Sequence, residues 1–215
     1  MGSTRLPGKV LRKIGKEPLL AHILCRLKQL KHQADVVVAT TNLNQDDCIE
    51  EYCQNIGVSC FRGSEKNVLQ RYYLCAVENG FDHIVRLTAD NPFTDIDELG
   101  GLIQMHLDTE ADFSHSFASL PVGVGAEVFT FQTLKQSYEQ GHDAHHIEHV
   151  DEYMLEHPEL FNTCVYQAPA SKCYPGIRLT VDTLDDYQRV CAIVDAQESD
   201  PVSIEEIIRF CLHSA

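Results

Sequence analysis

The sequence predicts an α/β fold built on a doubly wound, mainly parallel sheet, and three observations carry that expectation. Short β-branched runs alternate with amphipathic helical stretches through short connections, the signature of helices packed on both faces of one sheet. Polar loops follow the ends of the apolar runs. The phrase Arg-Leu-Thr-x-Asp occurs twice, at residues 86–90 and 178–182, each time closing an apolar lead-in. Open α/β sheets bind ligands at the carboxyl ends of their strands. Two carboxylates delivered to one such edge suit Mg²⁺, which is held by one or two carboxylates plus substrate phosphates. Read singly, Asp90 or Asp182 is an ordinary turn or cap residue; the echo favours a paired role.

Residues 1–9, Met-Gly-Ser-Thr-Arg-Leu-Pro-Gly-Lys, combine backbone freedom at Gly2 and Gly8 with cations at Arg5 and Lys9, the makings of a phosphate loop. The spacing is not that of a Walker A loop, because Val10 stands where Ser or Thr should follow Lys9. Phosphate loops in α/β proteins normally follow a strand, and none precedes this one. Pro18 opens a helix with Leu19, Leu20, Ile23, Leu24, Leu27 and Leu30 on its apolar face. Residues 35–40 form a buried parallel strand, 46–55 a helix closed by Gly57, and 58–61 a second strand. The loop 62–65 feeds a helix with Val68, Leu69, Tyr72, Tyr73, Ala76 and Val77 inward, closed by Gly80. Ile84 and Val85 lead the strand that ends before Asp90, and Pro92 forbids its continuation. Asp95 or Asp97 caps the next helix, through His106.

Beyond residue 111 the rhythm changes. A strand is expected over 126–130, a short helix to Gly141, one continuous helix over 142–157 stopped by Pro158, and an extended stretch over 161–166. Residues 111–172 are therefore expected as an insertion over the sheet edge within a single domain of 1–215. A strand over 177–182, a helix capped by Thr183 or Asp185, and a last helix over 204–212 complete the chain. Residues 108–112 and 197–200 read as solvated loops.

The formal charge of −15 argues against nucleic acid or an anionic membrane surface as partner, so phosphate binding must come from a local cation cluster. Nine cysteines without a Cys-x-x-Cys pair imply neither a disulfide framework nor a zinc ribbon, and a reducing cytoplasm is the expected home. Cys25, Cys75 and Cys191 are expected to pack as small hydrophobes. No apolar run reaches membrane-spanning length. His142, His145, His146, Glu148 and His149 invite a zinc reading, with His145 and His149 sharing a helix face, but the HExxH order fails. A polar helix face bordering a pocket, with His149 as a hydrogen-bond donor, is the favoured alternative. No Cys–His or Ser–His nucleophile signature is present. Arg5, Lys9, Asp90 and Asp182 together are the parts of a phosphoryl- or nucleotidyl-transfer site, which works by positioning and charge neutralisation.

The phrases MGSTRLPGKVL (1–11), VVVATT (36–41), FRGSEKNVLQRYY (61–73), IVRLTADNPFTD (84–95), EVF (127–129), EHV (148–150) and RLTVDTLDDY (178–187) occur in an order that resembles the CMP-sugar synthetase (cytidylyltransferase) superfamily. The nearest branch is that of spore-coat polysaccharide biosynthesis, related to acylneuraminate and 3-deoxy-manno-octulosonate cytidylyltransferases. The resemblance spans nearly the whole chain. It implies a three-layer α/β/α nucleotide-diphospho-sugar transferase-like fold and the Mg²⁺-dependent reaction of CTP with a sugar acid, giving CMP-sugar and pyrophosphate. It implies CTP contacts from Gly2, Ser3, Arg5 and Lys9 at the phosphates and from Arg62, Ser64 and Arg71 near base and ribose. It further implies catalytic roles for Lys9, Asp90 and Asp182, metal binding by the two aspartates, and sugar contacts from Glu127 and His149. Family members often dimerise through the region matching 111–172.

Two departures stand out. The resemblance leads one to expect the family's first strand just before the Met-Gly-Ser-Thr-Arg phrase, with which this sequence opens, and Gly125 and Asn91 replace residues commoner at those positions. A glycosyltransferase of related fold and an inactive nucleotide-binding remnant are the competing expectations.

Overall fold

The computed structural model describes residues 1–196 and 201–213; residues 197–200, expected as a solvated loop, and 214–215 lie outside the described residues. After the loop of residues 1–8 come a 3-10 turn at Lys9–Leu11 and a small antiparallel pair, β1 (Lys13–Ile14) and β2 (Glu17–Pro18). Pro18 stands at the entrance of α1 (Leu19–Leu27), where its missing N–H costs no helix hydrogen bond, and Leu19, Leu20, Ile23 and Leu24 are buried. Cys25, one position off that stripe, is exposed and does not pack inward as expected, whereas Cys75 is buried and Cys191 half-buried.

β3 (Val37–Thr41) and β4 (Ser59–Gly63) pair in parallel around α2 (Asp47–Ile56). In α3 (Val68–Asn79) the Asn67 side chain accepts the Gln70 N–H as a cap. β5 (His83–Arg86) leads to α4 (Ile96–Asp108), capped by Asp95 through the Asp97 and Glu98 amides. Then come β6 (Phe113–His115), β7 (Glu127–Thr130), α5 (Phe131–Gln140), α6 (Ala144–Glu148), α7 (Glu152–Glu156) and β8 (Thr163–Val165). The chain closes with α8 (Leu184–Asp195), which carries a capping box between Thr183 and Asp186, and α9 (Ile204–His213).

The principal sheet has the order β5-β7-β6-β8, while β3 and β4 form a sheet of their own. Pairing is more mixed than the repeats predict: β6–β8 is parallel, but β7 runs antiparallel to both β5 and β6. Residues 111–172 thus supply three of the four strands of this sheet. Successive side chains of β7 point to opposite faces. Phe129 packs with Phe113, Leu134 and Met154 on one side, and Val128 with Leu99 and Leu102 of α4 on the other. That is the three-layer α/β/α arrangement. A further core joins Leu19 and Ile23 to Val190, Ile193, Ile204 and Ile207 of the last two helices.

Two element expectations need correction. The helix expected over 142–157 breaks at His149, whose φ of −115° and ψ of 112° are extended. The break lets Val150, Tyr153 and Met154 enter the core and brings Asp151 to Arg86; tertiary packing overrides the helical pattern. Residues 177–182 form no strand, only a single bridge between Val122 and Arg178. Gly123 turns the partner loop away at φ 91°, and a Cβ there would lie 2.7 Å from the Thr180 nitrogen.

Candidate active site

Lys9 is where the beginning, middle and end of the chain meet. Its Nζ donates to Asp90 Oδ2 at 2.8 Å, to Asp182 Oδ1 at 3.1 Å and to the Val181 carbonyl at 2.9 Å, using all three ammonium protons. Gly8, in the left-handed region at φ 69°, makes the turn that sends Lys9 inward. Thr88 Oγ1 donates to Asp90 Oδ1 at 2.6 Å, and Asn91 Nδ2 donates to Thr88 Oγ1 at 2.8 Å. The Val181 N–H donates to the Asp90 carbonyl at 2.9 Å, so backbone joins the two aspartate segments directly. Arg5 approaches Asp182 Oδ1 at 3.2 Å and Arg178 takes Asp182 Oδ2. Burial disfavours the charge on Asp182, but Lys9, Arg5 and Arg178 outweigh it and hold the carboxyl below the usual range.

The rest of the loop lies near the carboxyl end of β3. The Met1 amino group pairs with Asp46, a buried carboxylate that also accepts from Thr40 Oγ1 at 2.9 Å and from Thr41. Burial opposes its ionisation, and the amino group and the two hydroxyls more than compensate. The sequence reading missed Asp46; two threonines ending a strand before a polar turn were the available signal. Gly2 lies beside Gln45 and Glu65, and Ser3 Oγ accepts the Leu6 N–H at 3.3 Å.

Arg62 binds the Leu43 carbonyl at 2.9 Å, Asp47 at 2.8 Å and Glu50 at 2.7 Å, so its guanidinium fastens the β3–α2 connection. Ser64 Oγ accepts the Asn67 N–H at 3.1 Å. Arg71 donates to the Ser64 carbonyl, its Nε is buried without a partner, and burial lowers its pKa.

A second charged group lies at the end of β5. Arg86 pairs with Glu127, and with Asp151 at 3.3 Å, beneath the Tyr72 ring at 5.9 Å. Glu127 is fully buried and its Oε2 has no partner. Burial pushes its carboxyl up to about 8, against the pull of Arg86. The structure does not join Glu127 to His149, which is exposed where α6 ends, and the two share no hydrogen bond. The histidine cluster is divided too: Asp143, His145 and His146 approach one another, while Nε2 of His145 and of His146 each face an oxygen of Glu156, at 2.9 and 2.7 Å.

A loop with two cations laid over paired carboxylates on an α/β/α sheet is the setting in which the comparisons with known proteins become informative. The sequence model of the family described as Cytidylyltransferase matches residues 1–213. The chain belongs to the cytidylyltransferase family. It is 37% identical over 214 residues to the spore coat polysaccharide biosynthesis protein SpsF of Bacillus subtilis, covering 97% of this chain and 89% of that protein. It is equally 37% identical over 209 residues to an uncharacterized protein of Methanocaldococcus jannaschii, covering 97% and 86%.

Among solved structures, a cytidylyltransferase from Leptospira borgpetersenii superposes with a TM-score of 0.93 at 33% identity, covering 100% of this chain and 91% of that one. A CMP:2-keto-3-deoxy-manno-octonic acid synthetase complexed with CTP gives a TM-score of 0.67 at 18% identity and speaks to the fold alone. This cytidylyltransferase is thus an enzyme of the nucleotide-diphospho-sugar transferase-like fold. Among its described residues no helix is long and apolar enough to cross a membrane.

Proposed function

We propose that this cytidylyltransferase couples CTP to a sugar acid, with release of pyrophosphate, in the supply of activated sugar for polysaccharide synthesis. The observation that carries the reading is the convergence of Asp90, Asp182 and the Val181 carbonyl on the single cationic centre of Lys9. All three groups are oxygen donors, and two are carboxylates. That donor chemistry fits a hard divalent ion such as Mg²⁺, with Asp90 and Asp182 as its holders. Bound there, the ion would neutralise charge on the reacting phosphates.

The remaining work falls to the chain itself. Arg5 would meet the phosphates from the loop, and Lys9 would reach them by giving up one of its three present acceptors; a sugar oxygen attacks the α-phosphorus, and the α–β bridge breaks to release pyrophosphate. Gly2 and Ser3 offer backbone amides to the same phosphates, and Arg71, with an unused N–H, is the better placed of the two arginines assigned to base and ribose. We assign residues 111–172 to acceptor binding or self-association, because Phe117, Leu155, Leu160 and Val165 remain exposed there. The sugar-acid class is supported by a 3-deoxy-manno-octulosonate cytidylyltransferase of Gemmatimonas aurantiaca, 26% identical over 141 residues.

The test is pyrophosphate release from CTP with a panel of 2-keto-3-deoxy sugar acids and Mg²⁺. Asp90→Asn and Asp182→Asn should each lower turnover by at least about 100-fold, the scale of losing one group that stabilises transition-state charge. Full turnover in either variant would sink the assigned metal site. Release of a nucleoside diphosphate without pyrophosphate would favour a glycosyltransferase instead, and failure to bind CTP with Mg²⁺ an inactive remnant.

A further inference from the structure

The short helices α6 and α7 carry a group of side chains that the candidate active site does not use. Asp143, His145 and His146 each bring one possible ligand atom within 4.8 Å of the others. Glu156, the last residue of α7, closes on both rings: its Oε1 meets His145 Nε2 at 2.9 Å and its Oε2 meets His146 Nε2 at 2.7 Å. An ionised carboxylate only accepts, so each neutral ring gives its Nε2–H to Glu156 and keeps its lone pair on Nδ1. His146 is 4% exposed, and its Nδ1 is buried without a partner. Such a group left unsatisfied costs about 1–3 kcal/mol. Tyr153 packs edge-on against the His146 ring at 5.4 Å between centroids, and its hydroxyl is tied to Gln140 Oε1 at 2.6 Å, so the ring is held in place. His149, which helical spacing would pair with His145, is not part of the group, because the chain turns extended there.

We propose that Asp143, His145 and His146 form a site for a Zn²⁺ ion, bound by Nδ1 of the two imidazoles and a carboxylate oxygen, with Glu156 as the orienting carboxylate behind the rings. Three features select that ligand. Neutral imidazole is the commonest protein ligand for a metal ion, and the buried Nδ1 of His146 has no other use. A carboxylate that takes the second N–H of a ligating histidine fixes the tautomer and makes the remaining nitrogen a better ligand, which is the position Glu156 holds toward both rings. Two nitrogens and one oxygen, with a further position for water, suit Zn²⁺, whereas Mg²⁺ takes oxygen donors. Asp143 and His145 are exposed, which gives the ion a way in. The consequence is mechanical. The histidines belong to α6 and Glu156 to α7, so a bound ion ties together the two helices on either side of residues 149–151, the stretch that carries Asp151 to Arg86. The proposal stands on this cluster alone and is independent of the CTP reading.

Titration of the full chain with Co²⁺ and Zn²⁺ tests it without recourse to activity, in excess Mg²⁺ so that sites built only of oxygen are already filled. One equivalent of Co²⁺ should give a d–d spectrum with no thiolate charge-transfer band, which separates this site from the nine free cysteines. Competition with a chromophoric chelator then gives the Zn²⁺ affinity. His145→Gln, at a half-exposed ring, and Asp143→Ala, at a residue whose side chain makes no capping hydrogen bond, should leave the helices intact and abolish the stoichiometric binding. Glu156→Gln should weaken it by about 10–100-fold, the usual effect of losing an orienting partner. His157→Gln, at a nearby histidine that faces Glu159 at 3.3 Å, should bind as the parent does. No stoichiometric binding by the parent chain, a thiolate band, or equal affinity in the parent and His145→Gln overturns the proposal. So does a loss in His157→Gln as great as that in His145→Gln, which would mark adventitious binding by surface histidines.

Discussion

The same five-residue phrase, Arg-Leu-Thr-x-Asp, is put to different uses at 86–90 and at 178–182. The first copy starts on the last residue of β5, and its arginine is turned inward against Glu127 and Asp151. The second copy is held by one bridge to Val122, and its arginine lies on the surface beside its own Asp182. Only the closing aspartates behave alike, both accepting from Lys9. A short phrase therefore fixes where a carboxylate is delivered, and its surroundings decide what the arginine does. Next to β7, Arg86 pairs with a buried glutamate whose carboxyl pKa is still pushed up by burial; beside solvent, Arg178 helps keep an aspartate ionised.

Substitutions can break that contrast, and the largest stability effect is expected in the first copy. Arg86→Met deprives both Glu127 and Asp151 of their buried partner and should cost about 3–5 kcal/mol in chemical denaturation, the penalty for breaking a buried ion-pair group by removing one member. Arg86→Met combined with Glu127→Leu should recover most of that loss, since replacing both members of a buried pair is often near neutral. A double variant no more stable than the single one would show that Glu127 is not the cause.

Acid gives the next effect. His106, fully buried, bonds Ser114 through Nδ1 at 2.9 Å and faces His83, the first residue of β5, through Nε2 at 3.1 Å. Burial first, then His83, pushes its pKa down from 6.5 to about 4. The unfolded chain therefore binds the proton more readily, and stability falls as pH drops from 6.5 towards 4. The slope integrates to about 3 kcal/mol over that window. Denaturation curves across it should flatten in His106→Gln; an unchanged slope would assign the acid sensitivity elsewhere. Smallest of all, Arg178→Met removes a pair 43% exposed on the arginine side and should cost under about 1 kcal/mol. A loss matching that of Arg86→Met would erase the difference between the two copies.

Much of the α/β framework could be read from residues because its signals are local. Pro18, Asn67, Asp95 and Thr183 mark helix starts, and the valine run before Thr40 marks a strand; each acts within a turn or two of its own position. Lys9, Asp90 and Asp182 could be singled out because the loop and the repeated phrase are themselves local patterns. What escaped depends on partners distant in sequence. The break at His149 is set by where Val150 and Asp151 must go, and no helical periodicity contains that information. Residues 177–182 have strand composition, but Gly123 removes their partner after one bridge. Arg62 looked free to meet a nucleotide because Asp47 and Glu50 become its neighbours only once α2 folds back beside β4.

The hydrogen bond from the Val181 N–H to the Asp90 carbonyl has a dynamic consequence. With it closed, the two carboxylates travel as one body and their spacing survives fluctuations of either loop. Any opening that frees residues 177–182 must break that bond and separate both aspartates in the same event. The exchange rate of a single amide, Val181, is therefore a clock for how often the site comes apart, readable before any substrate is added.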